Sequence, residues 1–484
     1  MLKLNFISIM NKIKSKIIIT LFLTIPAVVS AQLNGITEEN KFSEIINEAY
    51  SKGVFSGNVM IVKDGKTSFE ISIGDADYEI KKPNSSETKF ETGSITKFFV
   101  KTLAHQLEEE NKINFSDKLG KYLTGFSTEI SENVTIRQLA DHSSGFGDFF
   151  GDTMNSDELN NAKSISDVLK VIQNEKLQFT PGSKVQYSNS GYVVLAAVIE
   201  KVCGKSLEKI LKEKIFDKAG MDNTGFKVTV TNIDGKAKGY LSNQLGPKQD
   251  NSDMNLIGAG AGGVYSTTGD MNRFAQSLIN DNKLLSDEGK VRLFNSPLFP
   301  VQYNDWNEFL SKGRFAIAGG APGISAVFGI NMEKKYVMVV LSNFDIVTAE
   351  EVSQRLSAVL NNREVKPFTP PPAQIIYDII KKKGADNFTS NYKEELSSAG
   401  IDIDNDMILL FAGREFLREN DAENAIALYS VYTKEFPSIV VAWNDLGDAY
   451  LMINEKDKAK KCYEQALKIR PENKRAKDSI LKLG

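Results

Sequence analysis

The chain of 484 residues is 41% hydrophobic and 25% charged, and its formal net charge is −3. This length exceeds that of one ordinary domain, so we expect two or three compact units, and the average composition excludes global disorder. The balanced charge gives no electrostatic basis for binding nucleic acid, and we predict no such partner. Two cysteines, Cys203 and Cys462, are too few for a disulfide framework, and two histidines without a Cys/His cluster do not predict a zinc site. We therefore assign no metal and no cofactor.

The N-terminus has the pattern of a cleaved signal peptide. Three lysines precede an apolar run over residues 17–29, and Val29-Ser30-Ala31 places small residues where a signal peptidase cleaves. The alternative, a membrane anchor, needs about 18 to 20 apolar residues, and Pro26 interrupts this shorter run. We predict a signal peptide over residues 1–31, a periplasmic or secreted protein, and no membrane association after cleavage.

The next segment predicts a helix and two hairpins that are far apart in the sequence. Thr37 is a candidate cap for a helix that ends near Tyr50. Residues 59–62 and 67–73 flank an Asp-Gly turn and predict one antiparallel hairpin, and residues 326–341 predict another. Because mostly helical and loop sequence separates them, we expect an antiparallel sheet that both ends of this region complete and that helices cover.

A proline-rich segment, residues 366–372, marks a predicted linker because four prolines in seven positions fit neither a helix interior nor a central strand. Beyond it the chain repeats with an offset of 34 residues. The five matched pairs are Gly413/Gly447, Phe416/Tyr450, Ala425/Ala459, Tyr429/Tyr463 and Pro437/Pro471.

This offset is the period of tetratricopeptide repeats, and the second copy contains their opening signature from Trp443 to Tyr450. We predict repeats over about 406–439 and 440–473 in a helical domain of residues 373–484. Such arrays commonly bind a protein or peptide on their concave face, and an equally weighted alternative is a stabilising extension of the preceding domain.

A serine can attack an acyl carbon when a lysine one helical turn later, kept partly neutral by burial, accepts its proton. The Ser-x-x-Lys spelling alone is weak, since four other pairs match it: Ser86/Lys89, Ser206/Lys209, Ser390/Lys393 and Ser479/Lys482. Ser94/Lys97 differs by its context, because a loop ending in Gly93 leads into an amphipathic helix. We therefore predict Ser94 as the nucleophile at a helix N-terminus, with Lys97 as its base.

A second element, Tyr187-Ser188-Asn189, is the one Tyr-x-Asn in a chain of 15 tyrosines. A phenol beside the Ser/Lys pair could pass the proton to the leaving group, and the asparagine amide could hold a substrate amide or ester. Taken alone, this segment fits a simple turn with a buried tyrosine equally well.

Together these elements resemble the serine β-lactamase and penicillin-binding-protein superfamily, specifically the branch of class C β-lactamases, D-Ala-D-Ala peptidases and related esterases. The resemblance covers roughly residues 40 to 360 and includes the segments 135–145, 204–222 and 261–267. It implies an α/β fold with an antiparallel sheet flanked by helices, in a domain of residues 33–365. It also implies acyl-enzyme chemistry, with Ser94, Lys97 and Tyr187 as catalytic residues and Asn189 as a substrate-binding residue.

The third motif of that superfamily is Lys-Thr-Gly or His-x-Gly on a strand beside the site, and here it departs from the pattern. The matching stretch begins Ile317-Ala318-Gly319-Gly320. Gly319 and Gly320 match the glycine positions of this motif, and the resemblance implies that both bind substrate, with the backbone N–H of Gly320 as an oxyanion donor. Ile317 replaces the basic residue, which puts recognition of a substrate carboxylate in doubt.

Two other mechanisms fit the sequence less well. The GxGxxG of residues 258–263 lacks the preceding strand of a nucleotide-binding βαβ unit. A Ser-His-Asp hydrolase would need a GxSxG, which is absent, and His142 fits a structural loop residue better than a base.

We predict an exported hydrolase of a small ester, amide or D-peptide. The alternative is a catalytically inactive module that binds proteins through its repeats.

Overall fold

The structure, a computed structural model, describes most of the chain. The described residues are 37–149, 159, 161–228, 233–241, 250–251, 257–299, 301–345, 347–370, 372–401, 406–471 and 473–483. The predicted signal peptide, residues 1–31, lies outside the described residues.

The region up to residue 360 combines helices with short strands. Its helices are α1 (Glu38–Ser51), α2 (Thr96–Glu109), α3 (Thr128–Asn133), α4 (Ile136–Ala140), α5 (Ile165–Ile172), α6 (Asn189–Cys203), α7 (Leu207–Leu211), α8 (Asp217–Ala219), α9 (Thr268–Asn280), α10 (Asp287–Phe294), α11 (Trp306–Lys312) and α12 (Thr348–Leu360). Its strands are β1 (Gly57–Lys63), β2 (Lys66–Ile73), β3 (Asp75–Asp77), β4 (Lys82–Pro83), β5 (Phe90–Glu91), β6 (Gly225–Phe226), β7 (Val264–Ser266), β8 (Arg314–Ala321), β9 (Ile324–Asn331) and β10 (Tyr336–Ser342).

The main sheet has the order β2-β1-β10-β9-β8, and every pairing in it is antiparallel. The first hairpin turns at Asp64 and Gly65, both with positive φ (51° and 74°), as a two-residue turn of the type favoured by Asp-Gly requires. The N-terminal hairpin pairs with β10, so the prediction that both ends of the region complete one sheet is confirmed. Strand β8 forms one edge of the sheet, and β2 forms the other.

Alternating residues of the sheet face two hydrophobic layers. Met60 and Val62 join the core that contains α2, α6 and α9, whereas Val59 and Ile61 pack with α1 and α12. Burial on both faces explains why β1, β9 and β10 are almost continuously apolar. The helix predicted from Thr37 is present, and the Thr37 hydroxyl accepts a hydrogen bond from the Asn40 amide.

Helices occupy the C-terminal region in pairs. They are α13 (Pro372–Lys383), α14 (Ala385–Ser398), α15 (Asp406–Arg418), α16 (Ala422–Glu435), α17 (Val440–Met452), α18 (Lys456–Ile469) and α19 (Lys474–Leu483). Within each of two pairs, a glycine lies against a tyrosine of the partner helix: a methyl group on Gly413 would come 2.5 Å from the Tyr429 ring, and one on Gly447 2.6 Å from the Tyr463 ring. The 34-residue offset therefore reflects one close helix crossing that is built twice.

The predicted linker is packed against the sheet domain over its first residues. Phe368 is 3% exposed and lies under the Arg355 guanidinium, 3.9 Å from the ring centroid. Arg355 also donates to the carbonyls of Lys366 and Pro367, and the Lys52 ammonium donates to that of Phe368. Residues 366–368 therefore pack as part of the N-terminal unit, because an arginine on α12 satisfies their backbone.

This packing refines the expected domain boundary. We expect a chain ending at Pro370 to fold and to keep its activity toward small esters, because it retains Phe368. A chain ending at Val365 should be less stable by about 3 kcal/mol, the usual cost of losing a buried aromatic side chain. Thermal unfolding of both chains checks this. Equal stability would show that the contacts of Phe368 contribute little.

Candidate active site

The predicted nucleophile, Ser94, lies in a 3₁₀ turn, Gly93–Ile95, that leads directly into α2. Gly93 has φ +51°, and a side chain there would come 2.6 Å from the backbone nitrogen of Gly320. Glycine is therefore required both by the backbone conformation and by the close approach of β8. The helix begins two residues later than Ser94, and its N-terminal turn is directed at the site.

Lys97 is buried beneath Ser94 and makes three short contacts. Its Nζ lies 3.1 Å from Ser94 Oγ, 2.7 Å from Asn189 Oδ1 and 2.7 Å from the carbonyl oxygen of Ala261. The last two atoms can only accept hydrogen bonds, so they take both N–H groups of a neutral amine. The lone pair is then left for the hydroxyl proton of Ser94, which is the geometry a general base needs.

Burial lowers the pKa of Lys97 to about 7, since removing an ammonium from water favours its neutral form. The carboxylate of Asp148 acts in the opposite direction and limits this decrease. Near neutral pH, a substantial fraction of Lys97 is therefore unprotonated and able to accept the proton of Ser94.

The Tyr187 hydroxyl donates to Ser94 Oγ at 2.7 Å. Loss of solvation around the hydroxyl raises the pKa of Tyr187 to about 12, so it stays protonated at neutral pH and can serve as a proton donor. The His142 ring stacks on Tyr187 with a centroid distance of 4.7 Å, and its Nδ1 accepts the amide proton of Ser188 at 3.0 Å. Burial lowers the pKa of His142 to about 3, which keeps this nitrogen an acceptor. His142 is thus a structural loop residue, as expected.

Asn189 begins α6, which Ser188 caps through a hydrogen bond from the Gly191 amide. Its Oδ1 faces Lys97, and its Nδ2 donates to Asp148 Oδ2 at 2.8 Å. Both ends of the amide are therefore held, and Asp148 fixes which end faces the lysine.

The two predicted glycines lie on β8 beside the nucleophile. A methyl group on Gly319 would come 2.1 Å from the carbonyl oxygen of Thr92 and 2.7 Å from the backbone nitrogen of Ser94. The strand can therefore approach the Ser94 turn this closely only with glycine at position 319. The backbone nitrogen of the adjacent Gly320 also lies near this turn, 2.6 Å from the place of a side chain on Gly93, which fits the oxyanion role that the resemblance implies.

The structure thus brings all six predicted residues into one site, and comparison with known proteins identifies its family. The family model "Beta-lactamase" matches residues 39–360, two thirds of the chain. The chain belongs to the beta-lactamase family. It is a serine hydrolase with the α/β fold predicted for this family, and a tetratricopeptide-repeat model matches residues 440–473.

Two curated relatives and one solved structure illustrate this similarity. Penicillin-binding protein 4* of Bacillus subtilis is 30% identical over 359 residues, covering 68% of this chain and 75% of that protein. Teichoic acid D-alanine hydrolase of Staphylococcus aureus is 30% identical over 301 residues, covering 62% and 72%. The structure of FmtA from Staphylococcus aureus superposes with a TM-score of 0.55 at 28% identity, covering 68% of this chain and 90% of that one.

A cavity of about 260 Å³ opens beside Ser94 in this beta-lactamase-family hydrolase. Ile317 lies in its wall, where the family pattern expects a cation. Neither cation that is near in sequence replaces it. Lys312 belongs to α11 rather than to the strand and pairs with Glu308 at 2.7 Å, and Arg314, at the distant end of β8, pairs with Glu333. The apolar walls of the cavity are Phe98, Leu293, Leu298, Phe299 and Ile317.

Sequence reasoning missed four contributors to this site: the carbonyl of Ala261, the carboxylate of Asp148, the stacking face of His142, and Lys101, which lines the cavity. The spacing of Lys101, seven residues after Ser94, places it on the same side of α2 and could have indicated it. No pattern indicated the backbone carbonyl, because Ala261 is 164 residues from Lys97.

The glycine-rich segment and the two cysteines do not form further functional sites among the described residues. Residues 258–263 form a tight turn next to β7 rather than a nucleotide-binding βαβ unit, and this turn supplies the Ala261 carbonyl. Cys203 and Cys462 are unpaired. Within the described ranges, no group of His, Cys, Asp and Glu could hold a metal ion, and no helix is long and apolar enough to cross a membrane.

The pKa of Lys97 predicts how activity depends on pH. Because a general base acts in its unprotonated form, we expect that kcat/KM falls about tenfold per pH unit below about 7 and levels off above it, as the predicted role of Lys97 requires. The Asp148 charge raises this pKa, so Asp148→Asn, which keeps an acceptor for Asn189, should move the acidic limb to lower pH.

A pH–rate profile with a neutral p-nitrophenyl ester measures this shift. Glu175→Gln is the control, because Glu175 bonds to Ser190 rather than to the Lys97 group and should leave the limb in place. A limb that stays fixed or moves upward in Asp148→Asn would mean that another group titrates.

Proposed function

We propose that this protein is an exported serine hydrolase that cleaves small esters or amides through an acyl-enzyme on Ser94. One observation carries the proposal: Ser94 Oγ lies within hydrogen-bond distance of a lysine whose pKa burial lowers to about 7 and of a tyrosine that stays protonated. Burial alone lowers the pKa of a lysine, but at Lys97 the lowered pKa coincides with a direct contact to a serine hydroxyl, which is the arrangement that a general base needs.

In the proposed reaction, neutral Lys97 takes the hydroxyl proton as Ser94 Oγ attacks the substrate carbonyl. The amides of Ser94 and Gly320 stabilise the negative charge that develops on the carbonyl oxygen. The proton then passes from Lys97 through Tyr187 to the leaving alcohol or amine, which departs as the acyl–Ser94 bond remains. Water hydrolyses this ester in the reverse sequence of proton transfers and regenerates Ser94.

The substrate class follows from charges around the site. Ile317 leaves the part of β8 that borders the cavity without a cation for a substrate carboxylate, which disfavours penicillins and peptides that end in a free carboxylate. Asp148 places a carboxylate beside Asn189, which favours an acyl group that carries an ammonium. Aminoacyl esters and amides combine both properties, and a relative named for hydrolysis of D-alanine from teichoic acid supports this class.

The signal-like N-terminus supports export to the periplasm or the medium. Relatives named for binding penicillin and for hydrolysis of teichoic acid D-alanine agree with this proposal. For the repeats we propose a protein or peptide ligand, which the match over residues 440–473 supports. The alternative function, an inactive module that only binds through these repeats, assigns no role to the hydrogen-bonded group of Ser94, Lys97 and Tyr187.

Intact-mass spectrometry tests the proposed function. The mature protein is exposed separately to a fluorophosphonate, a penicillin and a p-nitrophenyl ester. We expect a stable fluorophosphonate adduct, turnover of the ester, and slow or no penicillin adduct. Absence of any adduct, together with no ester hydrolysis, would favour the inactive module.

Ile317→Lys tests the specificity. A cation in the cavity wall should add a charge-assisted contact worth roughly 1.5 to 3 kcal/mol for an anionic substrate, so we expect kcat/KM for nitrocefin to rise more than tenfold. The rate with a neutral p-nitrophenyl ester should rise far less, and Ile317→Met is the uncharged control. Efficient nitrocefin hydrolysis by the unmodified enzyme would show that another cation already binds the carboxylate.

A further inference from the structure

Lys101 is a buried lysine at the active site that the proposed reaction does not use. It follows Ser94 by seven residues on α2, is 5% exposed, and lines the same cavity as Ser94 and Ile317. Burying an ammonium is costly unless hydrogen-bond partners compensate it. A lysine in the wall of a substrate cavity therefore calls for a reason.

The buried ammonium of Lys101 has fewer hydrogen-bond partners than it has N–H groups. Within the part of the chain that the structure describes, its one hydrogen-bond acceptor is Asp141, at 3.2 Å from Oδ1, whereas an ammonium has three N–H groups. Burial lowers the pKa of Lys101, and the nearby positive charge of Arg137 lowers it further. Lys101 thus has N–H groups without a hydrogen-bond acceptor among the described residues, and the same residue borders the cavity.

The cavity lies on the leaving-group side of Ser94. Its lining includes Lys97, Tyr187 and the residues 316–318, but not Asn189 or Gly320, which would hold the acyl group. Tyr187 is the proton donor to the leaving group in the proposed reaction. The part of the substrate that departs should therefore occupy the cavity.

The cavity has apolar walls and, besides the catalytic groups, few polar atoms. Lys101 and Asp141 form a pair of opposite charges, so the net charge presented to a ligand is small. A second anion would be repelled by Asp141 as it approached Lys101. A neutral oxygen can accept a hydrogen bond from the ammonium without disturbing the pair.

We propose that Lys101 selects the leaving group: the cavity takes an alcohol or amine whose apolar chain ends in a hydroxyl or carbonyl oxygen, and Lys101 donates a hydrogen bond to that oxygen. This inference rests on the proposed function, because it assigns the leaving-group part of the same site. It makes Lys101 a residue for specificity and leaves the proton transfers to Lys97 and Tyr187.

A matched pair of esters tests the proposal. Both have the same acyl group. One has a pentyl leaving group, and the other has a leaving group of equal length in which a hydroxyl replaces the terminal methyl. We expect kcat/KM to be about tenfold higher for the hydroxylated ester, the size of one hydrogen bond to a charged donor. A third ester, ending in a carboxylate, should show no such gain.

Lys101→Met keeps the length of the side chain and removes its donors, so the preference for the hydroxylated ester should fall to about one. Because this change leaves the half-buried Asp141 without the ammonium of Lys101, the double variant Lys101→Met/Asp141→Asn is measured as well and should give the same ratio. A preference that survives in both variants, or one that favours the carboxylate ester, would overturn the proposal.

Binding of the free alcohols separates this proposal from the proposed function. Titrated onto the Ser94→Ala protein, the hydroxylated alcohol should bind about tenfold more tightly than pentanol, and Lys101→Met should abolish the difference. This result does not require catalysis. Equal binding of the two alcohols would refute the role of Lys101 even in an active enzyme. If the two alcohols bind differently but the native protein is not labelled by the fluorophosphonate, only the proposed acyl-enzyme reaction is refuted.

Discussion

Ser94→Ala is expected to abolish both fluorophosphonate labelling and ester turnover. Lys97→Met and Tyr187→Phe should each lower kcat/KM by a factor of about 10³ or more, because the three side chains share one proton path through Ser94 Oγ. Combining them should therefore cost little more than the worst single change.

Kinetics with a neutral ester, together with thermal unfolding, measures these effects. Thr102→Ser is a suitable control on the same helix, since its hydroxyl bonds back to the carbonyl of Phe98, away from the site. Turnover by the Ser94→Ala protein at the native rate would contradict the assignment of the nucleophile. Additive losses for Lys97 and Tyr187 would show that the two act independently.

Gly319→Ala is expected to reduce kcat/KM by a factor of about 10² to 10³, the usual cost of losing one donor to the oxyanion. The added methyl group would come 2.1 Å from the Thr92 carbonyl and 2.7 Å from the Ser94 nitrogen, and both are backbone atoms. The strand would have to withdraw from the Ser94 turn and take the Gly320 amide with it.

The same substitution on the same sheet, Gly329→Ala, is the control for this variant. Its methyl group would find its nearest neighbours at 3.7 Å, which is ordinary contact. We expect near-native activity and stability there. A Gly319→Ala protein that labels and turns over normally would show that β8 does not supply the oxyanion donor.

Much of the fold could be predicted because it is encoded over short stretches. The Asp-Gly turn fixes the register of the first hairpin, and the strand pairing Lys63 with Lys66 agrees with it. The 34-residue offset reports a helix crossing repeated along the chain, which needs no knowledge of the remaining structure. The packing of Phe368 could not be predicted, because it depends on Arg355 of α12 and on Lys52, which directly follows α1.

The candidate active site likewise has features that the sequence predicted and features that depend on the tertiary structure. Sequence alone predicted the pair Ser94 and Lys97, because one helical turn brings them together and a loop ending in Gly93 leads into an amphipathic helix there. The resemblance supplied Tyr187, Asn189 and the two glycines. Only the tertiary structure decided the chemical state of these groups. The pKa of Lys97 near 7 arises from burial and from the charge of Asp148.

The orientation of Lys97 likewise depends on the carbonyl of Ala261, and the place of Lys101 depends on a cavity formed with β8 and the loop after α10. Desolvation and hydrogen bonding depend on which distant segments pack around a group, and local spacing in the sequence does not encode that. The sequence by itself thus determined which side chains are candidates for the chemistry, and the folded chain decided their contacts, their pKa values and the space left for a substrate.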